Sequence, residues 1–245
     1  MQKLILVAFL AMLASAPACK SAADSDPAVA APTSAALQPE ENSGMHERNL
    51  ELVERAKANP KAEVVFIGDS ITHGWDDTGR SVWDREFAPM NALNLGVSGD
   101  RTEHVLWRLQ QGAYDGLRPR VIVMMIGTNN TGHRMDPPQE IADGVGAILA
   151  DLRERFPKAK LALLAIFPRE ESRDDPMRTN NDAANALLME MARERNIHWL
   201  DVSPAFCDAD GTLSQELMPD LLHPNEQGYE AWAGALVGPL RGWMS

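Results

Sequence analysis

Five short apolar runs, four of them halted by a residue that breaks a strand, constrain this chain more than any other feature. Residues 63–67 form a β-rich run that stops at Gly68. Residues 91–95 form a weaker one that stops at Gly96. Residues 121–126 stop at Gly127, residues 160–166 close at Pro168, and residues 197–202 make the fifth run. Near-continuous apolar runs of this length suit strands covered on both faces. Amphipathic stretches lie between them. Residues 102–111 put Val105, Leu106 and Leu109 on one face, and residues 138–155 do the same with Ile141, Val145, Ile148, Leu149 and Leu152. Further helices are expected over 46–58, 177–195 and 225–240, the last with Pro224 ahead of a capping Asn225. Alternating strands and helices imply a parallel sheet with helices on both faces. In such sheets ligands bind beyond the carboxyl ends of the strands. Residues that carry chemistry are therefore expected just after the strands.

The N-terminal stretch does not read as part of that domain. Met1, Gln2 and Lys3 give a short positive start, residues 4–13 are unbroken apolar, and residues 14–19 offer small side chains ending at Cys19. This is the pattern of a secretory signal. The apolar run is shorter than the roughly 20 residues a membrane-spanning helix needs. Cys19 stands where a bacterial lipoprotein carries its lipid, although Ala16 replaces the usual Leu three positions earlier. From residue 20 to about 44 the chain is Ala, Pro, Ser, Thr and Asp with few large apolar groups, a composition that cannot offset its ordering entropy. The expected organisation is a signal peptide over 1–18, a flexible tether over 19–45 and one domain over 46–245. The expected location is outside the cytoplasm, anchored through Cys19 or else periplasmic or secreted. That anchor is the one membrane contact expected.

Composition narrows the partners. A formal charge of −12 argues against a nucleic-acid partner, which needs a basic surface. The second of the two cysteines, Cys207, has no partner if Cys19 carries lipid, so no disulfide framework is expected. No paired Cys or H-E-x-x-H pattern suggests a metal. Asp208, Asp210 and Gly211 lack the later ligands of a calcium loop and read as a turn. No metal and no cofactor are expected.

The chemistry-bearing residues fall where the sheet rule puts them. The first strand runs into Gly68-Asp69-Ser70. Ser70 would begin a helix or turn there, with its hydroxyl at the mouth of the sheet and its N–H near the positive helix end. The second strand leads to Gly96 and Gly99, which let backbone approach a ligand closely. The third leads to Thr128-Asn129-Asn130, and the Asn129 amide can donate to an oxyanion. After the fifth come Asp220 and His223. Three residues apart, the carboxylate can bond one imidazole nitrogen while the other faces the serine. Each segment alone is a common turn. Together they supply the nucleophile, oxyanion donors and oriented base that acyl transfer needs. His104 and His133 are alternative bases. Residues 169–178, charged and Pro-containing, read as a solvated loop, with a place on the rim of the site as the alternative.

The segments G-D-S, G-V-S-G-D, G-T-N-N and D-L-L-H resemble the four motif blocks of the SGNH (GDSL-like) hydrolases. Within that family, residues 64–229 are similar to the platelet-activating-factor acetylhydrolase catalytic subunits, and residues 93–109 are the most specific piece. The resemblance implies a three-layer α/β/α flavodoxin-like fold with a five-stranded parallel sheet, and hydrolysis of small acyl esters. It makes Ser70 the nucleophile and Asp220 and His223 the rest of the triad. The oxyanion hole it implies comprises the N–H groups of Ser70 and Gly99 and the side chain of Asn129. Ser98 departs from the glycine those acetylhydrolases carry. The expected activity is removal of short acyl groups, acetyl foremost, from carbohydrate esters. The alternatives are a short-chain lipid or small-molecule esterase, and a non-catalytic glycan-binding protein.

Overall fold

A computed structural model describes residues 34–245. The signal segment, Cys19 and the first part of the expected tether lie outside the described residues. Five parallel strands form one sheet in the order β2-β1-β3-β4-β5. They are β1 (Val64–Gly68), β2 (Ala92–Gly96), β3 (Val121–Met125), β4 (Lys160–Leu164) and β5 (His198–Leu200). The helices are α1 (His46–Ala58), α2 (Ser70–His73), α3 (Arg80–Glu86), α4 (Thr102–Gln110), α5 (Thr128–Arg134), α6 (Pro138–Arg155), α7 (Pro176–Glu194) and α8 (Glu226–Met244). The three-layer parallel arrangement expected from the alternation of runs is the one observed.

Alternate strand residues feed two cores, as the two-residue side-chain period of a strand requires. Val65, Ile67, Ile122, Met124, Leu161 and Leu163 pack with the buried faces of α4, α6 and α7. Val64, Phe66, Val121, Val123 and Leu164 pack on the opposite face with α3 and α8. The second core is aromatic. Trp75, fully buried, lies 4.4 Å from the Tyr229 ring and 4.8 Å from Trp232, centroid to centroid. Large rings in tilted contact supply both apolar burial and geometric definition beneath α2.

Two glycines place α2 against the sheet. A Cβ on Gly68 would stand 2.5 Å from the Met125 carbonyl oxygen, and one on Gly96 would stand 2.4 Å from the His73 nitrogen. Both positions require the missing side chain for space. The structure also corrects several expectations. β4 ends at Leu164, and β5 has only three residues because it is a partly exposed edge strand. The tether does not reach residue 45. Short 3-10 turns at Ala35–Leu37 and Ser43–Met45 pack on the domain, with Ala36 fully buried. The Ser34 hydroxyl donates to Glu140 at 2.6 Å, and the Thr102 hydroxyl donates to the Ala36 carbonyl at 2.9 Å. Fixed hydrogen bonds and one small buried side chain order a stretch whose composition suggested none.

Candidate active site

The parallel register brings three loops together. Gly68 of β1 stands between Gly96 of β2 and Met125 of β3. Ser70, Gly99 and Asn129 each follow within a few residues of those strand ends. Ser70 opens α2, and Asp69 caps it by accepting the Ile71 N–H at 3.0 Å. The Tyr229 hydroxyl donates to the Ile71 carbonyl at 2.8 Å, so α8 holds the same turn from behind. The residues around the serine thus have little freedom.

His223 reaches that serine from the loop ahead of α8. Ser70 Oγ and His223 Nε2 are 2.9 Å apart, and His223 Nδ1 is 2.7 Å from Asp220 Oδ2. The other carboxylate oxygen of Asp220 accepts the His223 N–H at 2.7 Å and the Leu222 N–H at 3.1 Å. Burial opposes the charge on Asp220. The bonds from the His223 ring and from the two N–H groups outweigh it and hold the carboxyl below its ordinary range. A carboxylate that stays charged fixes the ring tautomer, with Nδ1 protonated and Nε2 open to the serine proton.

The expected oxyanion donors Gly99 and Asn129 lie in the segments after β2 and β3. Asp100 N–H donates to the Val97 carbonyl at 3.2 Å, closing a turn with Gly99 at φ +76°. A type II turn needs that sign of φ at its third residue, and this bond leaves the Gly99 N–H unused by the turn. Asn129 is 7% exposed and donates one amide hydrogen to the Asp100 carbonyl at 2.9 Å. Its amide nitrogen carries a second hydrogen beyond that bond. Beneath the loop, the Asp100 carboxylate pairs with the buried Arg108, which also donates from Nε to the Tyr114 hydroxyl at 3.1 Å. Ser98 turns its hydroxyl to His73 Nδ1 at 2.9 Å. Burial, then the Arg48 charge, pushes His73 below the usual histidine range. A cleft of about 310 Å³ opens beside Ser70 and His223, with His73, Asp77, Thr78 and Ser98 on its walls.

The alternative bases stand elsewhere. His104 is 4% exposed at the start of α4, where its Nδ1 accepts the Arg101 N–H at 3.0 Å. Burial and the neighbouring Arg101 charge drive it down to about 4. His133 is exposed, with Nδ1 3.2 Å from Arg101 Nη1. Neither is the histidine bonded to Ser70. The stretch over 169–178 is exposed along residues 171–174, as a solvated loop would be, but both its end arginines are buried. Arg169, 7% exposed, donates from Nη1 to the Thr128 carbonyl at 3.0 Å, beneath the turn that presents Asn129. Arg178, 5% exposed, donates to the Gly211 carbonyl at 2.8 Å. Gly211 N–H in turn donates to the Asp208 carbonyl at 2.8 Å, which makes 208–211 a turn. Among the described residues, no three His, Cys, Asp or Glu side chains are grouped so that they could hold a metal ion. Asn42, His73 and Tyr229 were not anticipated as parts of the site. Their sequence carries no mark of the role, since each acts across a distance in the chain that only the fold closes.

Residues 66–231 match the model of the GDSL-like Lipase/Acylhydrolase family. The chain belongs to that family. It is similar to the platelet-activating factor acetylhydrolase IB subunit alpha1 of Bos taurus, with 38% identity over 175 residues, 71% of this chain and 73% of the bovine one. Among solved structures, a GDSL-like lipase from Bacteroides thetaiotaomicron superposes with a TM-score of 0.62 at 20% identity, covering 82% of this chain and 97% of the other. An acetylxylan esterase from Geobacillus stearothermophilus superposes with a TM-score of 0.57 at 22% identity, covering 75% and 94%. The two structural likenesses show a shared fold. Family membership makes this chain an ester hydrolase.

Proposed function

We propose that the chain cleaves short acyl esters, acetyl foremost, through a Ser70–His223–Asp220 triad, and that the natural esters are carried on carbohydrate. The observation that carries the triad is the chain of contacts from Ser70 Oγ to His223 Nε2 at 2.9 Å and from His223 Nδ1 to Asp220 Oδ2 at 2.7 Å. His223 takes the Ser70 proton as Oγ bonds to the ester carbonyl carbon. The charge that develops on the carbonyl oxygen is met by the N–H groups of Ser70 and Gly99 and by Asn129 Nδ2. Collapse of that intermediate breaks the bond to the alcohol, which leaves with the proton held on His223. Water then gives its proton to His223 and attacks the acyl-serine. The acid departs and the serine recovers its proton.

Acyl length follows from the walls of the cleft. The cleft is small, about 310 Å³, and His73, Asp77, Thr78 and Ser98 interrupt the apolar surface of Pro224 and Tyr229, whereas a long acyl tail gains most from contiguous apolar surface. Those polar groups can also bond a hydroxyl-rich leaving group. A second reading, an acetyl ester on a glycerolipid or other small alcohol, draws on the name of the bovine relative. Comparing kcat/KM for p-nitrophenyl acetate and octanoate tests acyl length, and a preference for octanoate rules out the short-acyl claim. Acetate release from acetylated xylan against an acetyl glycerophospholipid then separates the two alcohols. Failure to react with a fluorophosphonate at Ser70 favours a non-catalytic glycan-binding protein. We further propose export with a lipid on Cys19, on the sequence of residues 1–19. Incorporation of a labelled fatty acid that persists in Cys19→Ala refutes the anchor.

A further inference from the structure

Residues 34–45 precede the part of the chain that matches the family model, yet they run against the loop that carries Gly99. Asn42 makes the contact. Its Nδ2 donates to the Ser98 carbonyl at 3.0 Å and to Asp100 Oδ1 at 3.0 Å, bracketing Gly99 from both sides. It is also the nearest group to the position a Gly99 Cβ would take, at 3.7 Å.

The carbonyl of Ser98 and the N–H of Gly99 belong to one planar peptide unit and point in opposite directions across it. Whatever holds that oxygen therefore sets the direction of that N–H. In a β-turn this central peptide is the unit whose flip interconverts types I and II. The closing bond from Asp100 N–H to the Val97 carbonyl joins the outer residues and does not itself fix that central peptide. The second Asn42 bond ties the same amide to a carboxylate that Arg108 already fixes. Asn42 thus couples the central peptide to a rigid, buried ion pair.

We propose that Asn42 is a positioning residue for the oxyanion hole, holding the Ser98–Gly99 peptide so that the Gly99 N–H faces the reacting carbonyl. This rests on the reading of Ser70 and Gly99 given above. The contact to Ser98 also accounts for why this stretch is ordered where its composition suggests a tether.

The test uses Asn42→Ala, Asn42→Asp, Ser34→Ala and Ser70→Ala in the described domain with its natural upstream sequence, assayed on p-nitrophenyl acetate. Outright loss of an oxyanion donor lowers turnover about 10²–10³-fold, so a misdirected one is expected to lower kcat about 10- to 100-fold. KM should stay within about 3-fold, because the donor matters most once charge develops. Asn42→Asp is isosteric and turns an acceptor toward two acceptors, so its loss should equal or exceed that of Asn42→Ala. Ser34→Ala loosens the segment at Glu140, away from the turn, and should keep kcat within about 2-fold. The proposal is overturned if both Asn42 variants keep the parent kcat while Ser70→Ala is inactive. It is also overturned if the Asn42 variants raise KM alone, or if Ser34→Ala matches their loss of kcat, which would make packing of the segment the cause. Activity that survives Ser70→Ala refutes the underlying site instead.

Discussion

The Glu170 N–H donates to the Leu221 carbonyl at 3.0 Å and so ties the segment after β4 to the loop between Asp220 and His223. Both residues lie in the left-handed region, at φ +60°. Such a backbone costs a non-glycine residue about 1–2 kcal/mol. It persists here because several bonds converge. Leu221 N–H donates to the Met218 carbonyl at 2.9 Å, Asn225 N–H donates to the Leu217 carbonyl at 2.9 Å, and Asp220 receives two N–H groups of its own loop. One oxygen of Asp220 builds the loop, and the other orients His223.

The division of labour within Asp220 separates two variants. Asp220→Asn keeps an oxygen for the backbone N–H groups but presents an amide donor to His223 Nδ1. The ring then takes the wrong tautomer, and kcat is expected to fall about 10⁴-fold with little change in Tm. Asp220→Ala should lose a similar factor in kcat. It should also lower stability by about 1 kcal/mol through the lost backbone bonds, discounted for their exposure. Steady-state kinetics with thermal melts reads both. Equal melting of the two variants at a temperature well below the parent would contradict the separation.

Ser70→Ala should abolish ester hydrolysis in a folded protein. Loss of a triad member costs on the order of 10⁶-fold in turnover. The side chain lost is small, and the Asp69 cap and the Tyr229 bond to Ile71 remain to hold α2. Unaltered circular dichroism with residual turnover at the level of buffer is the expected result. Turnover near that of the parent would require another nucleophile.

Asn129→Ala should lower kcat about 10²–10³-fold and KM much less. The amide has a second attachment, at the Asp100 carbonyl, so the variant also frees the end of the Gly99 turn. Asn129→Asp tests the amide hydrogen without changing size, and it should be at least as damaging because a negative charge would face the oxyanion. A rise in KM with unchanged kcat would make Asn129 a binding residue.

Much of the fold was legible because the central strands are apolar on both faces and the runs that form β1, β2 and β3 stop at glycines. The end of β1 illustrates this, since Gly68 is both the terminus and the gap into which Thr72 and the Met125 carbonyl fit. The candidate Ser70 was legible for the same reason, as it follows the end of β1, whereas Asp220 and His223 lie well beyond Leu200 and were marked only by their three-residue spacing. α3 was not anticipated. Its seven residues bury only Val82 and Trp83, too few to show a helical period. Arg169 read as solvated because nothing local distinguishes it. Its burial comes from the Thr128 carbonyl, 41 residues away in the chain. Asn42 was hidden in the same way, within a stretch whose composition is that of a tether.

Asp69 gives the last prediction, and its sign follows from burial. The residue is 1% exposed. One carboxyl oxygen accepts the Ile71 N–H at 3.0 Å, and the other, also buried, has no hydrogen-bond partner. Burial pushes the carboxyl up to about 7; the Asp100 charge adds to this, and the Ile71 bond and the Arg169 charge oppose it. In the unfolded chain an aspartate ionises near ~3.9. Between about pH 4 and pH 7 the folded protein therefore keeps a proton that the unfolded chain has lost. Stability falls as pH rises through that window, and the penalty is fully present above it. A shift of about three pH units corresponds to about 4 kcal/mol as an upper bound. Asp69→Asn retains a side-chain oxygen for the cap, where Asn serves as well as Asp, and it carries no charge at any pH. Denaturant unfolding of parent and variant from pH 4 to pH 8 should give equal stabilities at the acid end. The variant should gain steadily and be the more stable protein at pH 8. Other titrating groups act on both proteins and cancel in the difference. A difference that stays constant across the range would mean that Asp69 keeps its charge in the folded state, with a partner for its second oxygen.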